Sequence, residues 1–412
     1  MLEVYEYSIL LIFLLITSYL FFYKIEYVSY LEDSLENLLV RTFKRSTSLL
    51  CVLTLLIFAL GFQLRFLNIE LLDWDMSTAS IISQDILRGN LPFENLWNNK
   101  GPVRFFLFSV PLLIKNSDPI SFKLFNDLLY FFVALTIFLI GKSNGYNYIR
   151  SIISSMFFIF VTSQFGSLGS GYSEYYGLLF LGFALIYLSK NPNNKNIVLA
   201  SNFLSLALLT TPALIFHTLA CLIYMFLTQK KYLKIILGFF TPLVAILLIY
   251  FNSNILDILL YNYLSPFEYA SKFDFKIIDI FFETIFSPLS SKEMFLYGLV
   301  FLLGLFNVFN MSFELFKEKK LKIQSLVFIL LGLSIGYFIF GGKGFHHHLI
   351  YFYFFFSLSI GFSEIKVIRS FNLLFLLGAY LTIYPFAIYQ SGTIIKNFNY
   401  NNYPLFNDSV TI

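Results

Sequence analysis

Apolar runs of about 15–22 residues, separated by clusters of charge or of Gly, Asn and Pro, recur along this chain, and runs of that length are what a helix needs to cross hydrocarbon. The pattern predicts about twelve spans, at 4–23, 47–67, 120–141, 151–166, 175–189, 197–210, 213–228, 235–251, 294–310, 324–340, 349–363 and 371–390. Residues 197–228 read as two crossings rather than one broken helix, because Pro212 in Thr210-Thr211-Pro212 disfavours helical backbone just before it. The expected fold is therefore an all-α polytopic membrane protein with amphipathic juxtamembrane helices in its first external loop. Residues 1–46 read as an additional N-terminal span and cytoplasmic linker, 47–390 as the main transmembrane domain, and 391–412 as an extracytoplasmic tail.

Composition sharpens the setting. With 58% hydrophobic and 13% charged residues, 54 Phe and 28 Tyr among 412, the apolar surface exceeds what a water-soluble core hides. Cys51 and Cys221 both fall inside apolar runs and build no disulfide framework. No basic stripe or motif points to nucleic acid, and no internal repeat is visible. The Phe and Tyr side chains read as lipid-facing bulk and interfacial belts.

Charge placement orients the chain. If the 24–46 loop is cytoplasmic, that side collects most of the 28 Lys and Arg, including Lys24, Arg41, Lys142, Arg150, Lys230, Lys231, Lys317 and Lys366, as the positive-inside rule requires. Both termini then lie outside. Glu3 and Glu6 precede the first apolar run and Lys24 follows it, opposite to a secretory signal, so that run reads as a retained span. The expected localisation is multi-pass in the plasma (inner) membrane.

The loops at 68–119, around 167–174, at 252–293 and from Gly341 to His348 then face outward. Met76 to Arg88 predicts a surface helix with Ala79, Ile82 and Ile86 on one face, Asp75 as its cap and Gly89 just past its end. A second helix is expected to start at Pro102, where the missing N–H costs nothing. Both are expected to lie along the membrane surface. The 252–293 loop alternates Tyr261, Tyr263, Glu268, Tyr269, Lys272, Asp274 and Asp279 with apolar positions, which suits either a solvated surface helix or a cover for a cavity.

Asp73-Trp-Asp75, Gly89-Asn-Leu-Pro-Phe93, Lys100-Gly101-Pro102 and Phe345-His346-His347-His348 follow in this order on one side of the membrane. That succession resembles the GT-C superfamily of glycosyltransferases, which use sugars carried on a polyprenyl phosphate and include protein O-mannosyltransferases and aminoarabinose transferases. Arg65 and Glu174 also stand where that family often has such residues. Met76 occupies the place of a usual Glu, Gly101 that of a Pro, and His348 that of a frequent Tyr.

The resemblance implies a membrane glycosyltransferase with its active site on the extracytoplasmic face. The expected partners are a polyprenyl-phosphate-linked sugar, on undecaprenyl or dolichyl carrier, an acceptor glycan, lipid or protein, and membrane lipids. Such a transfer needs a base at the acceptor hydroxyl and positive charge at the departing phosphate. Asp75 is the expected base, with Asp73 behind it, although Asp75 also serves as a plain helix cap. Lys100, Arg104, Lys343 and His347 are the expected phosphate-binding groups; Lys100 and Arg104 equally suit headgroup snorkelling. Glu174, His346 and His348 complete the substrate-binding set. No cofactor and no metal are expected, because three adjacent histidines lack the spaced partners of a zinc site. His217 reads as a satisfied bundle residue. The competing readings are a lipid-linked-saccharide flippase, for which paired broken helices and mid-membrane charges would speak, and a polysaccharide polymerase or ligase, which would favour arginines in the 252–293 loop.

Overall fold

The computed structural model describes residues 25–43, 46–64, 74–114, 119–163, 171–190, 192–269, 322–340 and 346–362, together with Ile280, Leu305 and Val308. The expected spans at 4–23 and 371–390 and most of the span at 294–310 lie outside these residues, as do most of the 270–293 segment and the 391–412 tail.

All regular structure among the described residues is helical. In chain order the helices are α1 (Ile25–Phe43), α2 (Thr47–Leu64), α3 (Trp74–Leu87), α4 (Pro102–Phe108), α5 (Val110–Ile114), α6 (Pro119–Ser143), α7 (Tyr148–Ser163), α8 (Ser173–Ser189), α9 (Asn194–Thr210), α10 (Ile215–Gln229), α11 (Tyr232–Asn252), α12 (Leu256–Tyr269), α13 (Ile323–Phe340) and α14 (Leu349–Phe362). Among the described residues, Ser121–Ser143, Pro212–Gln229 and Tyr232–Asn252 are long and apolar enough to cross a membrane, and several of the twelve spans read from the sequence fall outside these residues. The other expected crossings that the structure describes fall on shorter apolar helices, among them Tyr148–Ser163, Ser173–Ser189 and Leu349–Phe362, or on α2, which follows α1 across a 114° bend.

The segment at 24–46, expected to be a linker, contains the helix α1. Its acids interrupt an apolar spacing of three and four residues, so the charge that marked a loop belongs to the polar face of an amphipathic helix. Leu35 and Leu39 pack on the core, and Glu36 Oε2 accepts the Ile149 N–H at 3.0 Å, satisfying a donor in the first turn of α7.

The centre of the bundle is α14. Every residue from Leu349 to Phe362 is buried, and the helix packs against α13, α7, α6 and α8. A helix apolar all round can be stable only in such a place. Interhelical hydroxyl bonds supplement the packing: Ser154 Oγ donates to Ser357 O at 2.7 Å, and Tyr130 OH donates to Ile159 O at 2.7 Å. Close approach of α6 and α8 depends on Gly182, where a Cβ would sit 2.3 Å from Thr136 Oγ1. At the other extreme, α11 buries few residues and turns Leu233, Leu237, Phe240, Val244 and Leu248 outward, a surface that suits hydrocarbon.

The break at Thr210-Thr211-Pro212 falls where the sequence places it. α9 stops at Thr210, Pro212–Leu214 forms a short 3₁₀ turn, and α10 follows. Pro212 leaves its helix-side neighbours with free carbonyls, and Thr210 O is used by the first loop, as described next.

Candidate functional site

The predicted surface helix begins two residues early, at Trp74, which puts Asp75 in the first turn of α3 instead of ahead of it. Ala79 and Ile82 are buried and Ile86 packs on the core. Gly89 follows with a φ of +99°, a backbone state that a side chain resists. α4 starts with Pro102 at its first position, as expected, and Ser83 Oγ ties α3 to it by donating to Phe105 O at 3.1 Å.

Between the two helices the chain is pinned at several points. Asp85 accepts the amides of Asn90 and Asn95, each at 2.8 Å. Tyr250 OH, from α11, donates to Pro92 O at 3.0 Å. Asn262 Oδ1, from α12, accepts the Asn98 N–H at 3.2 Å, and Asn98 Oδ1 accepts the Lys100 N–H at 3.0 Å. Gly101 N donates to Thr210 O at 3.0 Å, at the freed end of α9. A Cβ on Gly101 would lie 2.0 Å from Leu209 O, so only glycine allows the loop to seat there. Tyr263 OH donates to Leu208 O, binding α12 to the same end of α9.

This arrangement delivers Lys100 to Glu174. Lys100 Nζ lies 3.6 Å from Glu174 Oε1, and the Glu174 side chain has no exposure. Glu174 stands in the first turn of α8, where the helix dipole favours an anion, and its Oε2 accepts from Ser173 Oγ at 3.1 Å. His346–His348 form a 3₁₀ turn leading into α14. The ligand atoms of Glu174, His347 and His348 all lie within 4.8 Å of one another. The two imidazoles meet nearly at right angles, 80° apart with centroids at 4.5 Å. Tyr172 stacks on His347 at 4.7 Å and 9°, and Tyr337 lies against His348 at 5.2 Å.

Glu174 and His348 both precede the apolar runs at 175–189 and 349–363. Burial pushes His348 down to about 3, which leaves its imidazole neutral with a lone pair to offer. Burial alone would raise the Glu174 carboxyl, but Lys100, then His347 and His348, outweigh it and hold the group at about 2.

Arg104 is fully buried rather than extended to a headgroup. Its Nη2 donates to Asp75 O at 3.3 Å and to Gly171 O at 3.1 Å, and its guanidinium lies about 6 Å from the rings of Phe105 and Phe108. Arg104 thus joins the first turn of α3, α4 and the segment leading to Glu174. Met76 packs its thioether against Gly171.

The structure therefore brings Lys100, Glu174, His347 and His348 together and links Asp75 to them through Arg104. His346 opens the 3₁₀ turn, while its side chain, Asp73, Lys343 and Arg65 lie outside the described residues. His217 sits apart, fully buried on α10, with Nε2 at 2.9 Å from Ser334 Oγ on α13 and its ring stacked on Phe355. Sequence reasoning missed Tyr172, Asn262 and the carboxylate–imidazole cluster, all of which depend on contacts between distant segments. Two imidazoles and a carboxylate are a donor set that a divalent cation accepts.

No family model and no curated protein matches the chain. Among solved structures it is similar to ArnT from Cupriavidus metallidurans, solved bound to undecaprenyl phosphate, at 12% identity over 81% of this chain and 60% of that one, with a TM-score of 0.48. It is similar to the oligosaccharyltransferase AglB from Archaeoglobus fulgidus, solved with an inhibitory peptide and a dolichol-phosphate, at 15% identity over 85% and 56%, with a TM-score of 0.53. A second Archaeoglobus fulgidus oligosaccharyltransferase structure, with Zn and sulfate, gives 16%, 83%, 53% and 0.49. The chain spans 53–60% of the length of these proteins. The likeness to AglB is one of architecture: the helices of this chain share the fold of that oligosaccharyltransferase.

Proposed function

We propose that the protein is an integral-membrane, inverting glycosyltransferase that moves one sugar from a polyprenyl-phosphate donor to an acceptor hydroxyl on the extracytoplasmic side of the plasma membrane. The observation that carries this reading is the convergence of Lys100, Glu174, His347 and His348 from three distant segments, beside the turn that holds Asp75. The likeness to AglB, solved with a dolichol-phosphate, supports a polyprenyl-phosphate donor.

In this reading the acceptor oxygen attacks the anomeric carbon as the bond to the phosphate oxygen breaks. Asp75 takes the hydroxyl proton, and the electron pair of the broken bond leaves on the lipid phosphate. Lys100, partly exposed beside Glu174, meets the charge that develops there. Arg104 adds a fixed positive charge behind the site. Lys343 and His347 are read as phosphate-binding with them, and His346 belongs with the substrate-binding residues. Asp73, Glu174 and His348 shape the substrate side. Residues 47–390 form the catalytic unit, with the N-terminal segment and the 391–412 tail outside it.

The test is Asp75→Asn in an assay of transfer from a labelled polyprenyl-phosphate sugar. Asparagine keeps the carbonyl that Arg104 holds, so the fold is expected to survive while turnover falls by about 10²-fold or more. Wild-type turnover in a well-folded Asp75→Asn protein would remove Asp75 from the role of base.

A further inference from the structure

We propose that Glu174, His347 and His348 form a binding site for one divalent cation of the zinc class, and that this cation competes with the Lys100 ammonium for Glu174. The three residues come from the start of α8 and the turn before α14, and their ligand atoms lie within 4.8 Å of one another. Around a tetrahedral zinc with bonds of about 2.0–2.1 Å, ligand atoms stand about 3.3 Å apart. The cluster, already within 4.8 Å, stands about 1.5 Å from that spacing.

The surroundings favour such a site. Tyr172, stacked on His347, and Tyr337, against His348, hold the two rings in place, as outer groups do around metal-bound imidazoles. Adjacent residues normally point apart, but the 3₁₀ turn at His346–His348 sets the rings of His347 and His348 face to edge at 4.5 Å. Two imidazoles with one carboxylate suit Zn²⁺ or Co²⁺ and disfavour Mg²⁺ and Ca²⁺, which take oxygen ligands. Three protein ligands leave a coordination position open.

Lys100 gives the site its second property. Its ammonium stands 3.6 Å from Glu174 Oε1, on the carboxylate that a cation would take. A dication on Glu174 repels that ammonium, so occupancy releases Lys100 from its ion pair. The freed charge is then available to an anionic headgroup at the same place. That last consequence rests on the transfer reaction proposed above; the metal site and the competition do not.

Tag-free protein, stripped with a chelator in detergent, is titrated with Co²⁺ while visible absorption is followed, and bound Co²⁺ is then displaced with Zn²⁺. One Co²⁺ per chain is expected, with the bands of four- or five-coordinate Co²⁺, displaced by Zn²⁺ and unaffected by equimolar Mg²⁺. Glu174→Gln and, separately, His348→Gln weaken binding by more than about tenfold. Lys100→Met tightens it by about tenfold, within the usual range for two ligands linked through one group. The absence of a saturable Co²⁺ spectrum in the wild type, or unchanged affinity in folded Glu174→Gln and His348→Gln proteins, overturns the site. Equal affinity in the wild type and Lys100→Met overturns the competition. No sugar transfer enters these readouts, so failure here is distinct from failure of the Asp75→Asn test.

Discussion

The Lys100 ammonium and the Glu174 carboxylate stand 3.6 Å apart, the first with 15% of its side chain exposed and the second with none. A buried carboxylate deprived of its cation is costly, whereas a neutral isostere in its place is not. Lys100→Ala is therefore expected to destabilise the protein by about 2–4 kcal/mol and to raise the apparent KM for the lipid-phosphate donor by about tenfold. Adding Glu174→Gln to it is expected to restore the thermal midpoint but not KM. A double variant as unstable as Lys100→Ala would show that the pair does not hold this part of the fold.

Glycines separate sharply by surroundings. At Gly101 a methyl group meets Leu209 O at 2.0 Å, while at Gly332, inside α13, it meets nothing within 4 Å. Gly101→Ala is expected to unseat the Asn98–Lys100 segment and abolish transfer. Gly332→Ala is expected to stabilise α13 by about 0.5–1 kcal/mol. Thermal midpoints and transfer rates of the two proteins, measured side by side, check the contrast.

Asn262 reaches Lys100 through Asn98, and its own orientation is fixed because its Nδ2 donates to Ile258 O at 2.7 Å. Loss of the acceptor in Asn262→Ala removes a bond worth about 0.5–1.5 kcal/mol, which corresponds to a KM about two- to tenfold higher with little change in kcat. Asn262→Asp keeps an acceptor and is expected to recover most of the loss. Equal KM values in all three proteins would place α12 outside the site.

Arg104→Met keeps the apolar stem of the side chain and deletes the guanidinium that holds Asp75 O and Gly171 O. Gly171 O, left without this donor, costs about 1–3 kcal/mol, while Asp75 O keeps its place in the first turn of α3. The expected result is a lowered thermal midpoint together with a large fall in kcat, since the turn bearing Asp75 is released. A purified Arg104→Met protein with wild-type midpoint would show that the guanidinium carries no structural weight.

Much of this was legible in the sequence where the signal is local. The start at Pro102, the stop at Gly89 and the break at Pro212 are imposed by the backbone of one or two residues, so each appears where the sequence predicts it. The order of acid, Lys-Gly-Pro and histidine motifs is the sequence signal that agrees with the architecture shared with AglB. The charges of α1 mask its helix, because by composition Glu and Asp mark a loop and only their spacing marks a helix. Arg104 was read as a surface cation because nothing local announces that two distant carbonyls will bury it. The histidine triplet by itself lacks a spaced metal partner, and only the fold brings the Glu174 carboxylate within ligand distance of it.

The enclosure of α14 has a consequence for how this chain tolerates change. A helix that presents a neighbour on every side offers no direction in which an enlarged or shortened side chain is harmless. Interchange of Leu, Ile, Phe and Val is expected to be nearly silent along the outward positions of α11 and damaging throughout Leu349–Phe362. Because His348 sits at the upper end of that rod, a misfit several turns below it is transmitted to the imidazoles as a displacement.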